Sequence, residues 1–219
     1  MNKRILMFGL TIFAVICTSI SAVAQNDAAA KSILDKASST MKGYEDISME
    51  FDYVLDNEAE DVKQEMSGDV LLKGEKYKVN LFGSTQIFDG SKTYTIIPEN
   101  EEVNINDADL DEESSFTPSK FYSFYESGYT YKMDELKQVN GKKVQFVKLT
   151  PIDTHSEISS ILVGIDVKTN HIYQIIETGT NQTRTILTAK NIKTNQQVNA
   201  AAFAFDEKKY EDLNYMINK

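Results

Sequence analysis

Two histidines and one cysteine are the residues of this chain best suited to catalysis or metal binding. His155 and His171 fall on different predicted elements, so the sequence does not predict a shared acid–base pair or metal site. It contains no paired zinc ligands, no nucleophile elbow and no phosphate-binding glycine loop. Carboxylates are abundant, but no catalytic pair stands out among them. We therefore predict that the protein is not an enzyme, and that it has no cofactor, no catalytic residues and no metal site.

One acidic stretch, residues 98–117, contains carboxylates at alternate positions. Such spacing is compatible with weak binding of a calcium ion. The stretch has few apolar residues and many charges, which favours a solvated loop instead. The alternating carboxylates are Asp107, Asp109, Asp111 and Glu113.

The first 24 residues have the three-part layout of a secretory signal peptide. A basic head (residues 1–4) precedes an apolar run (residues 5–20), and small residues up to Ala24 mark a cleavage site. The apolar run is short for a membrane span, and an uncleaved anchor is the alternative. Cys17 does not read as a lipid-attachment cysteine, because bulky residues precede it. We predict cleavage after Ala24 and a single domain over residues 25–219.

The charge balance predicts a soluble, exported protein. The whole chain has a net charge of −10 from 23 basic and 33 acidic residues, and loss of the two basic residues in the signal peptide leaves −12. An acidic protein without a basic cluster is not expected to bind nucleic acid or anionic lipid headgroups. We expect a monomer. Because Cys17 is the only cysteine, the exported chain has no disulfide, which indicates a bacterial periplasm.

Periodicity predicts two helices and about ten β-strands. Residues 27–41 repeat apolar side chains every three or four positions, which is typical of a helix packed on one face. From Ile47 onward the period is two, and Asp89-Gly90 and Asn140-Gly141 indicate tight turns. We predict a mainly β (α+β) fold, with an antiparallel sheet curled towards closure. Such a sheet surrounds either a filled core or a hydrophobic cavity.

The second predicted helix, residues 117–127, is unusually aromatic. Thr117-Pro118 supplies an N-cap followed by proline at the first helical position. Its aromatic residues are Phe121, Phe124 and Tyr125 on one face, with Tyr122 nearby. An aromatic helix tethered by an acidic loop is either ordinary packing or a lid over a cavity, and we favour the lid.

Several motifs resemble the LolA family, the periplasmic carriers of outer-membrane lipoproteins. Residues 68–79, GDVLLKGEKYKV, resemble the family's pattern of glycine, alternating apolar residues, basic residues, a turn and an aromatic residue. Shorter matches follow in the family's order at residues 87–94, 98–99, 149–151, 165–166 and 203–205. The resemblance spans nearly the whole exported chain. Its specificity lies in the joint order of motifs that are weak one by one.

The resemblance implies an unclosed antiparallel β-barrel of about ten strands, covered by helices, with a hydrophobic cavity for lipoprotein acyl chains. It also implies that cargo passes from an inner-membrane ABC transporter to an outer-membrane receptor. Related half-barrels bind other lipids or glycolipids or act as envelope sensors, which is the alternative function. Candidate cavity residues are Phe51, Tyr53, Leu55, Met66, Val70, Leu72, Tyr77 and Val79, and candidate lid residues are Phe121, Phe124 and Tyr125.

Two departures from the family's pattern bear on these expectations. Many members carry Arg-Pro in the turn where this chain has Lys73-Gly74-Glu75, so Lys73 is the nearest candidate for the arginine that latches the lid. The proline- and glycine-containing stretch that follows the last Phe-x-Phe motif in the family is replaced by residues 206–210, DEKKY. Both differences leave the identity of the cargo open.

Overall fold

The structure is a computed structural model that describes residues 27–107 and 118–219. The predicted signal peptide lies outside these residues. So do Asp109, Asp111 and Glu113 of the acidic stretch and the predicted N-cap, Thr117. Among the described residues, no group of three or more His, Cys, Asp or Glu side chains is arranged to hold a metal ion. No helix in the same two ranges is both long enough and apolar enough to cross a membrane.

The described residues contain three α-helices, three 3₁₀ turns and twelve strands. The helices are α1 (Ala28–Lys42), α2 (Pro118–Ser123) and α3 (Glu207–Asp212), and the 3₁₀ turns cover Pro98–Asn100, Phe124–Glu126 and Ala200–Phe203. The first six strands are β1 (Asp46–Asn57), β2 (Val62–Lys73), β3 (Lys76–Leu81), β4 (Ser84–Phe88), β5 (Lys92–Ile97) and β6 (Glu102–Asp107). The other six are β7 (Tyr129–Val139), β8 (Lys142–Pro151), β9 (Ile158–Asp166), β10 (Ile172–Gly179), β11 (Arg184–Thr194) and β12 (Met216–Asn218).

All twelve strands belong to one sheet, in the order β12-β6-β5-β4-β3-β2-β1-β11-β10-β9-β8-β7. Its two edge strands, β12 and β7, are not paired with each other, so the sheet is unclosed. The pairs are antiparallel except for the parallel pair of β12 with β6. This architecture confirms the predicted fold class, with twelve strands where about ten were expected.

The acidic stretch is not wholly a loop, contrary to the prediction. Its first part forms β6, which pairs with β5. Val103 is fully buried opposite Ile96, and Ile105 packs against the same cluster. Two apolar residues among the charges are therefore enough to hold a strand. The carboxylate of Asp107, at the end of β6, accepts a hydrogen bond from Lys92 Nζ at 2.7 Å. The many charged residues of this stretch are the reason that the sequence did not predict the strand.

The helix α1 begins and ends as its sequence predicts. The Asp27 carboxylate accepts hydrogen bonds from the amides of Ala29 and Ala30, at 2.8 and 3.3 Å, which caps the first turn. Gly43 follows the last turn and donates to the carbonyl of Ser39. The buried stripe consists of Ala30, Leu34, Ala37, Ser38 and Met41. We call the sheet face against which this stripe packs the helix-side face.

The way α1 packs shows that the sheet curls around it. Ala30 belongs to a buried cluster that includes Tyr131 on β7, whereas Met41 belongs to a cluster that includes Tyr77 on β3. These two strands are seven spacings apart, or about 34 Å in a flat sheet. Ala30 and Met41 are only about 16 Å apart along the helix. One helix therefore reaches both clusters because the sheet bends towards it.

The opposite face of β3–β6 is covered by the C-terminal segment. Phe203 is buried against Ile87, Ile96 and Val103 on that face. The chain that leads into this segment is held by Asp46, a buried residue at the start of β1. The Asp46 carboxylate accepts hydrogen bonds from the amides of Gln196 and Val198, at 2.7 and 3.0 Å. Burial works to raise the pKa of Asp46, but these amide donors and the nearby charge of Lys73 lower it overall.

Replacing Gly68 with alanine is expected to destabilise the sheet. A Cβ at this position of β2 would lie 2.5 Å from Phe51 Cζ and 2.6 Å from the Asn80 carbonyl oxygen. The backbone oxygen cannot move aside, so overpacking should cost about 1–3 kcal/mol and lower the Tm by about 3–10 °C. Thermal unfolding measures the effect. Gln64→Ala, at an exposed position of the same strand, should change the Tm little, and an unchanged Tm for Gly68→Ala would contradict the close contact.

Candidate functional site

A continuous row of apolar side chains crosses seven strands on the helix-side face. Directly opposed residues in neighbouring antiparallel strands point to the same face, so the strand register identifies the row. Its members, from β7 to β2, are Met133, Val147, Val163, Ile175, Leu187, Tyr53 and Met66. The helix α1 buries Val147 and Val163 at one end of the row. Leu187, Tyr53 and Met66 at the other end are only partly buried and belong to none of the buried clusters of the described residues.

A second row on the same face lies closer to the turns between β2 and β3. It consists of Ile47, Leu72, Tyr77 and Phe88, which are directly opposed across β1 to β4. All four are buried in one cluster with Met41 of α1 and Tyr122 of α2. This second row is therefore covered, whereas part of the first row is open.

The eight candidate cavity residues fall into these covered and open parts of one face. Leu72 and Tyr77 are buried, and Val70 and Val79 pack against their cluster. Phe51 is also buried, directly over Gly68. The remaining three, Tyr53, Leu55 and Met66, are partly buried. The structure thus brings all eight to the helix-side face, as the period-two pattern indicated.

The aromatic segment, residues 118–126, packs its four aromatic side chains into two different clusters. It consists of the short helix α2 and the 3₁₀ turn that follows. Phe121 and Tyr122 pack with the second row on β1–β4. Phe124 and Tyr125 pack instead with Ala30, Leu34 and other residues of the cluster on β7–β9. The segment therefore bridges the two halves of the curled sheet.

Tyr122 is one of two buried side chains of the segment, at 5% exposure, and Tyr125 is the other. Its hydroxyl has no hydrogen-bond partner among the residues that the structure describes. Burial, together with the charge of Glu75, raises the pKa of Tyr122, so the hydroxyl stays protonated at neutral pH. A buried donor without a partner is costly. From the sequence, Tyr122 was expected beside the lid face, whereas in the structure it fills the cluster.

Tyr125 is fastened to α1 by a hydrogen bond that sequence reasoning also missed. Its hydroxyl donates to Asp35 Oδ1 at 2.9 Å, and the same carboxylate accepts from Lys31 Nζ. Burial, then the bond to the Asp35 carboxylate, raises the pKa of Tyr125. The bond to Lys31, and then the bond to Tyr125, lowers the pKa of Asp35. Asp35 borders the buried stripe of α1, one residue after Leu34, and that position was its only signal in the sequence.

The predicted latch residue makes a different contact. Lys73 Nζ donates a hydrogen bond to the carbonyl of Val198, on the C-terminal segment. Lys73 is therefore hydrogen-bonded to the C-terminal segment. The hydrogen bond that joins the aromatic segment to α1 is the one between Tyr125 and Asp35.

A cavity of about 240 Å³ lies beside Tyr122. Met41, Ile47 and Leu72 form its apolar wall, and Glu45, Asp46 and Glu75 form its polar rim. Cavities that hold small organic ligands usually measure about 300–1,000 Å³. The cavity is smaller than this, and the Tyr122 side chain forms part of its lining.

The two histidines lie apart, as predicted. His155 follows β8 on the surface, and its ring nitrogen is 3.4 Å from Asp153. His171 precedes β10, and its Nε2 lies 2.8 Å from the Tyr44 hydroxyl. Burial lowers the pKa of His171, which favours the neutral ring.

Comparison with known proteins supports the architecture. The fold is similar to that of an uncharacterised conserved protein from Thermus thermophilus, with 6% identity over 86% of this chain and 98% of that chain and a TM-score of 0.54. It is also similar to a LolA superfamily protein from Nitrosomonas europaea (11% identity, 81% and 98% of the two chains, TM-score 0.41) and to LprF from Mycobacterium bovis (12%, 80% and 97%, 0.47). No family model and no curated protein matches the sequence. The unclosed, mainly antiparallel sheet predicted from the sequence is confirmed as a fold.

Proposed function

We propose that this protein is a periplasmic carrier that shelters lipoprotein acyl chains against the helix-side face. In the empty protein the aromatic segment fills the acyl-chain site, and it swings out when cargo enters. The cavity consists of the covered and open residues described above, from Phe51 to Val79. By resemblance, an inner-membrane ABC transporter supplies the cargo and an outer-membrane receptor removes it. Neither a cofactor nor a covalent step is required.

The buried Tyr122 hydroxyl is the observation that carries this proposal. The side chain fits an apolar cluster in shape, but its polar end has no partner among the described residues. An acyl chain would fill the same space without burying a hydroxyl. The energetic cost of the closed state therefore favours exchange of Tyr122 for cargo.

The energy of acyl-chain burial explains why a carrier needs a segment that occupies the empty site. Each buried methylene is worth about 0.8 kcal/mol, so about 16 sheltered carbons would exceed 10 kcal/mol. Binding that strong would make release slow. If cargo must displace Phe121 and Tyr122, part of this energy is offset by the lost packing of those rings. Net affinity then remains low enough for transfer to a receptor.

A crosslink between the aromatic segment and the sheet is expected to block cargo uptake. Phe121 and Met49 on β1 both pack against the buried cluster of the second row. The exported chain has no other cysteine by prediction, so Phe121→Cys with Met49→Cys gives one defined pair. A short bifunctional thiol reagent, or oxidation, joins the pair. Binding of a fluorescent triacylated lipopeptide should then be lost, and it should return after reduction of the oxidised pair.

Each single-cysteine variant, treated in the same way, is the control and should keep its binding. Unchanged lipopeptide binding by the fully crosslinked pair would contradict movement of the aromatic segment. Native mass spectrometry of protein from its own periplasm tests the cargo directly. Acylated lipoprotein supports the carrier, whereas a free lipid or glycolipid supports the alternative binding module.

A further inference from the structure

A second and larger cavity, of about 660 Å³, opens at the ends of β9, β10 and β11. It is lined by Ser156, Glu157, Ile158, Glu177, Thr183 and Thr185, among others. Its volume lies within the range of small-molecule sites. Unlike the cavity beside Tyr122, it is walled mainly by carboxylates, hydroxyls and backbone.

The register places this polar cavity directly beside the open end of the apolar row. Glu177 and Thr185 are opposed to each other, and Thr185 is opposed to Leu55 on β1. Two residues further along the same strands come Ile175, Leu187 and Tyr53 of the apolar row. One step along the strands, about 7 Å, therefore leads from apolar to polar side chains on one face.

Glu177 also lies near Tyr129, a neighbour of the aromatic segment. Its charge contributes to raising the pKa of Tyr129, after the larger effect of burial. The Tyr129 ring in turn packs edge-on against Phe124, with ring centroids 6.3 Å apart. A ligand that displaces the aromatic segment therefore meets Glu177 at the border of the space that it enters.

The charges of the cavity select the kind of polar group that fits. Glu177 is half-buried, and no hydrogen bond or ion pair to its carboxylate occurs among residues 27–107 and 118–219. No lysine, arginine or histidine of these ranges lines the cavity. The neighbouring Arg184 alternates to the other face of β11, where it lies 3.8 Å from Asp56. A phosphate here would face two carboxylates and no cationic side chain of the lining, whereas hydroxyl or amino groups would find acceptors.

We propose that this cavity binds the polar head of the acylated ligand, and that the head is a non-anionic group rich in hydrogen-bond donors. The inference rests on the proposed function, since the acyl chains occupy the adjoining apolar row. Glu177 accepts hydrogen bonds from the head, and the threonine hydroxyls orient it. The protein thereby discriminates against anionic phospholipids, which are abundant in the membranes that it serves.

Three soluble probes with the same two octanoyl chains test the proposal. They are a glucosyl diacylglycerol, a diacylglyceryl-cysteine peptide with a free amine, and phosphatidylglycerol. Calorimetry should show the first two binding at least about tenfold more tightly than phosphatidylglycerol. The glucosyl and amine probes separate sugar hydroxyls from a peptide amine as the source of the donors.

Charge reversal at Glu177 provides a more specific test of the head-group preference. Glu177→Lys should reverse the preference in favour of phosphatidylglycerol, and Glu177→Gln should reduce the preference. Glu65→Lys, which makes the same change of net charge on the opposite face of β2, is the control and should leave the preference intact. Equal affinity for all three probes, or a reversal as large with Glu65→Lys, would overturn the head-group inference and leave the carrier standing. Failure to bind any probe would overturn both.

Discussion

Replacing Tyr122 with phenylalanine is expected to make the empty protein more stable and to weaken acyl-chain binding. The substitution keeps the ring that packs with Ile47, Leu72 and Tyr77 but removes a hydroxyl without a partner among the described residues. A buried unsatisfied hydroxyl costs about 1–3 kcal/mol, so the closed state should gain about 1 kcal/mol. A gain of that size raises the Tm by about 2–4 °C for a chain of this length.

The weakened binding follows because cargo competes with the closed state. A ligand that binds only the open state must overcome the free energy of opening, and its apparent affinity falls as that free energy rises. About 1 kcal/mol corresponds to a roughly fivefold increase in the Kd of the lipopeptide. Calorimetry or fluorescence titration measures the Kd, and thermal unfolding without ligand measures the stability.

Tyr210→Phe is the matched control for this experiment. Tyr210 is a partly buried aromatic residue that stacks on Phe205 on the other side of the sheet, away from the proposed site. Its substitution should leave the lipopeptide Kd unchanged. A higher Tm for Tyr122→Phe with an unchanged Kd would show that burial of Tyr122 is not linked to binding. A lower Tm would show that the hydroxyl has a favourable role.

The face of each strand could be predicted from the sequence, because a period of two is unambiguous along a strand. Tyr53 and Val70 each follow an aspartate, Tyr77 lies between two lysines, and the register of β1 to β3 places all three on the helix-side face. Which parts of that face are covered could not be predicted. Coverage depends on where α1 crosses the sheet, and that depends on curvature set by strands far apart in sequence.

The orientation of the aromatic segment was only partly predictable. Phe121, Phe124 and Tyr125 lie on one face of an ideal helix, but the helix ends after six residues and continues as a 3₁₀ turn. The backbone of Ser123, between the two, leaves the helical region with a φ of −120°, which changes the direction of the later side chains. Tyr122 consequently enters one cluster while Tyr125 enters the other. Because four of five consecutive positions are aromatic, the sequence does not mark one apolar face of the helix. It therefore does not predict which aromatic side chain enters which cluster.

Replacing Tyr125 with phenylalanine is expected to have the opposite effect to the same change at Tyr122. The substitution removes the hydrogen bond to Asp35, which fastens the aromatic segment to α1 at 2.9 Å. Hydrogen bonds to charged groups contribute about 1.5–3 kcal/mol, and the Asp35 side chain is 46% exposed, which places this one at or below the lower limit. The closed state should lose about 1 kcal/mol, so the Tm should fall by about 2–4 °C and the lipopeptide Kd should decrease about fivefold.

A double-mutant cycle with Asp35→Ala isolates this bond from the other contacts of Asp35, chiefly its ion pair with Lys31. In the Tyr125→Phe background, Asp35→Ala should tighten lipopeptide binding no further, because the bond between the two is already gone. Full additivity would show that Asp35 and Tyr125 act independently and that the bond does not hold the segment closed. Opposite signs for two Tyr→Phe changes three residues apart cannot result from a general loss of aromatic polarity. They require that the segment carries one contact that favours opening and one that opposes it, so that cargo shifts the balance with modest binding energy.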